Sequence, residues 1–171
     1  METSNTNMVG SKIMTIIVWD GENLATDRQA TDGSHKWETD KAWYVNRGDS
    51  VYIVSGVGLL KNIIELREWF KKGGNADEFP LKSVQHGQLV AQQLLVVSKD
   101  KGLFVYEDSP HPVCRGFEPC AFGEGKDYAY GALAMESTAV EAITIANNYS
   151  LHCGKGVAIY SLHRSQVEYK V

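Results

Sequence analysis

The chain has 171 residues, 43% of them hydrophobic and 22% charged, which predicts one globular domain and excludes a disordered tail, a collagen-like rod and a coiled coil. The formal net charge of -4 argues against nucleic acid as the main partner. No apolar run approaches the roughly 20 residues of a membrane span, so we expect no membrane partner.

The first 14 residues, METSNTNMVGSKIM, are polar and contain no continuous apolar segment, so they do not resemble a secretory signal. We interpret residues 1–14 as a leader and residues 15–171 as a single domain. The three cysteines, Cys114, Cys120 and Cys153, form an odd set without CxxC spacing. This pattern predicts no disulfide framework and favours a reducing cytoplasm.

Strand-like patterning begins at Thr15, where the run TIIVW is β-branched and aromatic. The turn-forming run DGEN follows, so the sequence predicts a tight hairpin over residues 15–30. Two registers are compatible with this turn. A three-residue loop would place Thr15 opposite Asp27, whereas a two-residue turn would place Thr15 opposite Thr26.

The next segments are predicted as a polar connection over 31–40 and two strands, 41–45 and 51–55, joined by a turn. We expect Gly56 and Gly58 to end the second strand. Apolar residues at helical spacing then predict a helix over 59–72, which ends at two consecutive glycines. Residues 75–90 show no clear pattern.

In the second half, residues 92–98 and 103–106 are predicted to form another hairpin. Two helices follow, one over about 126–135 and one capped by Ser137 or Thr138 that continues to about residue 147. A late strand is predicted over 157–160. Because several strands are apolar on both faces, we expect covered sheets. The predicted fold is α+β, a four-layer αββα sandwich of two antiparallel sheets flanked by helices, with a three-layer α/β/α fold as the alternative.

Several motifs occur in a familiar order: the Thr15 hairpin, DRQAT at 27–31, Lys41, SGVG at 55–58 before a helix, and GEGKDYA at 123–129. From Thr15 to Tyr160 the chain resembles the proteasome β subunits and HslV, the peptidase subunit of a bacterial ATP-dependent protease. These are N-terminal nucleophile (Ntn) hydrolases with an αββα fold. The resemblance therefore implies a threonine-type endopeptidase, and we expect it to need no cofactor.

The resemblance also implies catalytic roles. A threonine hydroxyl is a weak nucleophile that needs a base, and the α-amine of an N-terminal threonine, with a pKa near ~8, can serve. Thr15 would be the nucleophile, Asp27 would orient it, and Lys41 would tune the electrostatics. The Gly56 N–H would stabilise the oxyanion. Glu124 stands where the family has a serine beside the nucleophile.

Five further positions match substrate contacts of the family. Thr31 and Gly58 correspond to positions whose backbone pairs with an extended peptide. Ala30, Trp43 and Val54 correspond to positions near the first specificity pocket. The resemblance thus implies an apolar pocket that prefers apolar over acidic side chains.

Three departures from the family motivate an alternative function. Thr15 is internal and follows Met14, so its amine exists only if the leader is removed or translation starts at Met14. Glu124 replaces the serine, and Ser150 and Cys153 stand where the family commonly has Asp and Ser. The alternative is a catalytically inactive, ring-forming structural or regulatory subunit.

The partners implied by the resemblance are further copies of the chain in a ring, a possible ATPase unfoldase, and peptide or unfolded-protein substrates. We expect no metal, because His111, Cys114 and Cys120 lack zinc-finger spacing and no fourth ligand is evident. A nucleotide site is also not predicted. The GEG run at 123–125 precedes a helix but lacks the GK[ST] of a phosphate-binding loop.

Overall fold

A computed structural model describes residues 12–13, 15–32, 34–80, 84–85, 88–89, 91–164 and 166–171. The predicted leader falls outside these residues except for positions 12 and 13. The fifteen strands among the described residues are β1 Lys12–Ile13, β2 Ile16–Trp19, β3 Asn23–Asp27, β4 Gln29–Asp32, β5 His35–Glu38, β6 Ala42–Arg47, β7 Ser50–Leu59, β8 Val84–Gln85, β9 Gln88–Leu89, β10 Gln93–Ser98, β11 Gly102–Tyr106, β12 Val113–Gly116, β13 Cys120–Gly123, β14 Val157–Ser161 and β15 Glu168–Lys170.

Three α-helices accompany them: α1 Leu60–Lys71, α2 Lys126–Leu133 and α3 Ala139–Tyr149. A short 3-10 helix spans Ala76–Glu78. None of the α-helices in the described part of the chain is long and apolar enough to cross a membrane. Of the two predicted caps for α3, Thr138 is the one observed, because its hydroxyl accepts a hydrogen bond from the Glu141 N–H at 3.3 Å.

The strands build two main antiparallel sheets. The first has the order β1–β7–β10–β11–β12, with β6 also paired to β7, and the second has the order β13–β2–β3–β14–β15. The pairs β4–β5 and β8–β9 form two separate two-stranded ribbons. Every strand pairing among the described residues is antiparallel.

Three hydrophobic clusters show how the layers stack. One cluster joins α2 and α3 to the second sheet, and Ile143 is fully buried in it. Another lies between the sheets and includes Ile17 and Leu95. The third joins α1 to the first sheet through Leu66 and Val96. The order helix, sheet, sheet, helix confirms the predicted αββα sandwich and rules out the three-layer alternative.

The strand β7 is longer than predicted. We expected Gly56 and Gly58 to end it near residue 55, but it continues through Leu59. The glycines serve close packing instead: a Cβ on Gly56 would lie 2.7 Å from Ile63 of α1. Gly58 also has a φ of +133°, which side chains rarely tolerate. These two residues let the strand pass beneath the start of the helix.

The register of the first hairpin also differs from both predicted registers. Trp19 pairs with Leu24 and Ile17 with Thr26, so the register extended by one residue places Ile16, not Thr15, opposite Asp27. The cause is a wider turn. The Asp20 carboxylate accepts hydrogen bonds from the Glu22 and Asn23 N–H groups at 3.0 and 2.7 Å, which holds four residues between the paired positions.

Several elements escaped prediction because they are polar or exposed. The segment 31–40, predicted as a connection, contributes to the β4–β5 ribbon, and every residue of β5 is exposed. The edge strands β12 and β15 are also mostly exposed. Since hydrophobic alternation comes from burial, strands without a buried face carry little of that pattern.

We expect Leu66→Ala to lower the free energy of unfolding by about 2–5 kcal/mol, because Leu66 is fully buried between α1 and the first sheet. Ile64→Ala on the same helix removes a side chain that is 37% exposed and serves as the control. Its cost should be clearly smaller. Urea unfolding monitored by circular dichroism measures both, and equal costs would contradict this packing.

Candidate active site

The Asp27 carboxylate, at the end of β3, is the centre of a buried polar cluster. Its Oδ1 accepts hydrogen bonds from the Lys41 Nζ at 2.7 Å, the Ile16 N–H at 3.1 Å and the Thr15 Oγ1 at 3.2 Å. Its Oδ2 accepts from the Gln29 and Gly154 N–H groups at 3.2 and 3.3 Å. Asp27 is completely buried, so these five donors replace the water that it loses on folding.

Lys41 supplies the opposite charge and is only 1% exposed. It lies just before β6, and its carbonyl accepts a hydrogen bond from the Ser55 hydroxyl at 2.6 Å. Burial lowers the pKa of the Lys41 ammonium below its ordinary value, while the charge of Asp27 and the hydrogen bond to it act in the other direction. The position of the lysine is therefore fixed by two strands and by the carboxylate.

Thr15 lies immediately before β2 and is fully buried. Its hydroxyl donates to Asp27, and its carbonyl accepts from the Glu124 N–H at 2.8 Å. Gly123 makes this approach possible, since a Cβ there would lie 2.0 Å from the Thr15 oxygen. In the full chain the Thr15 nitrogen is joined to Met14 by a peptide bond, so it is not a base.

The other predicted catalytic residues occupy different places. Gly56 is the neighbour of Ser55 in β7 and pairs with Leu94 of β10. Glu124 touches Thr15 through its backbone N–H, and the residue as a whole is exposed. The structure thus joins Thr15, Asp27 and Lys41 by direct hydrogen bonds. Gly56 is linked to them through its neighbour Ser55 in β7, whose hydroxyl donates to the Lys41 carbonyl.

The predicted substrate positions fall into two groups. Trp43 and Val54 are direct cross-strand partners in β6 and β7. Ala30 and Thr31 lie on the separate β4–β5 ribbon, where Ala30 is buried. Gly58 is at the far end of β7, beyond the stretch that pairs with β6.

Lys12 and Ile13, which precede Thr15, pair with the last residues of β7, beyond the stretch of β7 that pairs with β6. Ile13 pairs with Gly58, and Lys12 pairs with Leu59, in antiparallel register. The chain therefore approaches Thr15 as an added strand on the first sheet. This is the backbone arrangement of an extended peptide bound by strand addition.

The loop after α3 closes the cluster from the other side. Gly154 donates its N–H to Asp27, and the neighbouring Cys153 is 4% exposed. Burial raises the pKa of the Cys153 thiol to about 11, so the thiol is neutral at neutral pH.

Sequence reasoning singled out Cys153 and Ser150 but missed Gly154 and Gln29. The glycine-rich run CGKG after a helix was the one available signal for a backbone contact.

A second network holds the residues that flank the ion pair. Arg28 follows Asp27, and its guanidinium bonds Glu38 at 2.9 Å and stacks on the Tyr169 ring with its centre 4.4 Å from the centroid. The Tyr169 hydroxyl donates to Asp40, the neighbour of Lys41, at 2.9 Å. Through Tyr169, the strand β15 therefore contacts both Arg28, which follows Asp27, and Asp40, which precedes Lys41.

The described residues contain no group of three or more His, Cys, Asp or Glu side chains placed to hold a metal ion. All three cysteines are free, and Cys114 is the exposed one. The candidate site itself offers hydroxyl, carboxylate, ammonium and backbone N–H groups.

Comparison with known proteins identifies the fold. No family model matches the chain, and no curated protein matches its sequence. Among solved structures, eukaryotic HslV from Trypanosoma brucei is similar with a TM-score of 0.59 and 17% identity, covering 85% of this chain and 97% of that one. The Anbu (Gly-1) mutant from Hyphomicrobium sp. strain MC1 gives a TM-score of 0.65 and 11% identity, with 91% and 86% covered.

A third structure, the helical assembly of the Anbu complex from Pseudomonas aeruginosa, gives a TM-score of 0.64 at 12% identity, covering 92% of this chain and 86% of that one. At such identities the similarity shows the fold alone. The chain has the αββα fold of the proteasome-like Ntn hydrolases.

We expect Asp27→Asn to lower the free energy of unfolding by about 3–5 kcal/mol, because it leaves a buried ammonium without its counter-charge. The double variant Asp27→Asn/Lys41→Met should recover part of this loss, since it removes the ammonium as well. Urea unfolding at pH 7 measures both. A double variant no more stable than Asp27→Asn would contradict the charge-based explanation.

The single variant Asp27→Asn should also change how the free energy of unfolding depends on pH. Because the pKa of Lys41 is lowered in the folded state, the unfolded chain binds this proton more tightly, and stability from this group rises as pH increases towards the ordinary lysine value. Asp27→Asn removes the carboxylate that opposes the lowering, so the rise should begin at a lower pH and be larger. Unfolding free energies between pH 7 and 9.5 test this, and a wild-type slope would contradict it.

Proposed function

We propose that the chain is a threonine-type endopeptidase whose nucleophile is the Thr15 hydroxyl after residues 1–14 have been removed. The observation that carries the proposal is the buried ion pair of Asp27 and Lys41, 2.7 Å apart, with the Thr15 Oγ1 bonded to the same carboxylate oxygen at 3.2 Å. An ion pair buried this deeply is costly to build, and such perturbed groups concentrate at functional sites.

The proposed reaction uses the new α-amine as the base. The amine takes the proton from the Thr15 hydroxyl, directly or through water, as Oγ attacks the peptide carbonyl carbon. The Lys41 ammonium favours the neutral amine and stabilises negative charge on the oxygen, and the Gly56 N–H is assigned to the oxyanion. The proton then passes to the leaving amine, which departs as the peptide bond breaks.

An ester between Thr15 and the first half of the substrate remains. Water adds to its carbonyl with the α-amine again as base, and collapse of the adduct releases the acid and returns the proton to the Thr15 oxygen. Asp27 holds both Thr15 and Lys41 throughout. Glu124 contributes its backbone N–H to the carbonyl of Thr15, which fixes the nucleophile.

Removal of the leader is part of the proposal. The pairing of Ile13 with Gly58 lays the chain before Thr15 along β7 as an extended strand. A substrate peptide would take the same edge once residues 1–14 have left, with Thr31 on the other side. Ala30, Trp43 and Val54 would form an apolar pocket for the side chain next to the cleaved bond.

Self-association is the proposed working form of the chain. The Anbu complex from Pseudomonas aeruginosa, which shares this fold, forms a helical assembly, and we extend self-association from that complex to this chain. The proposal is a homo-oligomer to which an ATPase unfoldase delivers unfolded chains.

The second candidate is a non-catalytic subunit with the same fold. It is favoured by the peptide bond that joins Thr15 to Met14 and by the exposed carboxylic residue Glu124 at the position of the family's serine. A carboxylate beside the new amine would hold it as an ammonium, which cannot act as a base.

The intact mass of the purified protein separates the two candidates. The peptidase should have the mass of residues 15–171 and should cleave fluorogenic peptides. Thr15→Ala should keep residues 1–14 and lower kcat by at least about 1,000-fold. Thr15→Ser, which retains a hydroxyl, is the matched control and should process itself and keep measurable activity. Retention of the leader in the wild-type protein together with turnover that Thr15→Ala does not change would refute the peptidase.

A peptide library tests the specificity pocket. Because Trp43 and Val54 are adjacent and Ala30 is buried, cleavage should be favoured after apolar residues over acidic ones by about 10-fold or more. Cleavage dominated by Glu or Asp in the wild-type enzyme would overturn this assignment.

A further inference from the structure

The backbone of Arg28 joins two chain segments that hold the buried ion pair. Its N–H donates to the Gly154 carbonyl at 3.0 Å, and its own carbonyl accepts a hydrogen bond from the Thr39 N–H at 2.9 Å. Gly154 is also a donor to Asp27, and Thr39 lies two residues before Lys41. Arg28 therefore connects the loop after α3 to the segment that carries the lysine of the ion pair.

The side chains of Arg28, Asp40 and Tyr169 form a closed triangle beside that ion pair. The Arg28 guanidinium carbon lies 4.4 Å from the centre of the Tyr169 ring, and the Tyr169 hydroxyl donates to Asp40 Oδ2 at 2.9 Å. The third side is an ion pair between Arg28 Nε and Asp40 Oδ1, which are 3.7 Å apart and both shielded from solvent. Because each side chain contacts the other two, none of them can move without disturbing two contacts.

The triangle bridges the two main sheets at the candidate active site. Tyr169 lies on β15 and Arg28 follows β3, two strands of the second sheet, whereas Asp40 lies just before β6 of the first sheet. The ion pair of Asp27 and Lys41 spans the same gap. Arg28 is the next residue after Asp27, and Asp40 is the residue before Lys41. One ion pair fixes a single distance between the sheets and leaves rotation open, and a second bridge beside it restrains the orientation.

Solvent reaches the outer side of the triangle. Tyr169 is 51% exposed, and the Arg28 and Asp40 side chains are 22% and 41% exposed. Polar contacts at such positions contribute little to stability, because water replaces a partner that is removed. Glu38 also binds Arg28 Nη1 at 2.9 Å, which holds the guanidinium when Tyr169 is altered. Substitutions at Tyr169 should therefore change the geometry of the site more than the folding of the chain.

We infer that Tyr169 and Arg28 are positioning residues of the proposed peptidase, which set the orientation of the Lys41 ammonium against Asp27. The inference rests on the proposed function and adds to it a role for β15. In the proposed reaction the ammonium keeps the α-amine of Thr15 neutral and stabilises negative charge on the oxygen, and both effects weaken with distance. Loss of the triangle should therefore impair the chemical step more than substrate binding.

Two substitutions at Tyr169 test this role on the processed enzyme. Tyr169→Phe keeps the stacked ring and loses the hydroxyl, so kcat should fall by about 3-fold. Tyr169→Leu removes both contacts, and kcat should fall by about 10-fold with KM within about 2-fold of the wild-type value.

The pH profile distinguishes positioning from a general structural effect. In Tyr169→Leu the acidic limb of kcat/KM should move to higher pH by about half a unit, because a displaced ammonium no longer favours the neutral amine. Lys170→Gln, whose side chain lies on the opposite face of β15, should change neither kcat nor the limb. A loss of kcat in Tyr169→Leu without the shift of the limb, or no loss of kcat, overturns the inference.

Amine labelling of the full chain separates failure of this inference from failure of the peptidase. Acetic anhydride is added at mildly alkaline pH, labelled lysines are mapped by mass spectrometry, and urea unfolding gives the stability of each variant. Lys41 is 1% exposed and should be protected in the wild-type chain. Tyr169→Leu should raise its labelling rate by at least about 5-fold and leave that of the exposed Lys72 unchanged. A rise larger than the change in the unfolding equilibrium constant supports the positioning role even in a chain that never cleaves a peptide. A rise no larger than that change, or no rise, overturns it.

Discussion

The buried carboxylate of Asp27 is the constraint on which the rest of the site depends. A carboxylate that loses all contact with water must be given donors by the protein, or it is too costly to bury. Here the five donors come from Thr15 before β2, Ile16 at the start of β2, Gln29 at the start of β4, Lys41 before β6 and Gly154 after α3, and the Lys41 donor carries a full positive charge. Both sheets must therefore hold their relative positions to within a hydrogen-bond length. The four-layer packing supplies that rigidity.

The sequence predicts this fold well where burial shapes it. Strands such as β10 and β14 are apolar on both faces, and α1 and α3 have apolar residues at helical spacing, so the order of elements and the covered sheets could be predicted from the pattern, which left a three-layer arrangement open. The exposed strands β5, β12 and β15 carry no such pattern. The extension of β7 through Gly56 and Gly58 was missed for a different reason: the same glycines that usually end a strand are needed here for close approach to α1.

The candidate site also contains residues that could be predicted and contacts that were missed. Thr15, Asp27 and Lys41 were singled out by resemblance, and the structure brings them into hydrogen-bond contact; their catalytic roles are proposals. The contacts from Gln29 and Gly154 were missed, because backbone N–H groups carry no residue-type signal beyond the glycine-rich run CGKG that contains Gly154. Both predicted hairpin registers were wrong, the nearer of them by one residue, yet the Asp27 carboxylate still reaches Thr15. The carboxylate lies at a strand end, where its reach along the backbone tolerates the shift.

The hydrogen bond from Gly154 to Asp27 has a consequence for the order in which the molecule matures. The two residues are 127 positions apart, so this contact is among the last that a chain growing from its N-terminus can make. Until the loop after α3 has been synthesised and has folded back, Asp27 lacks one of its donors and the ion pair is not sealed from water. Folding dominated by such distant contacts is also slow. Under the proposed function, the Thr15 nucleophile would therefore not be complete while the chain, or a neighbouring copy, is still being synthesised.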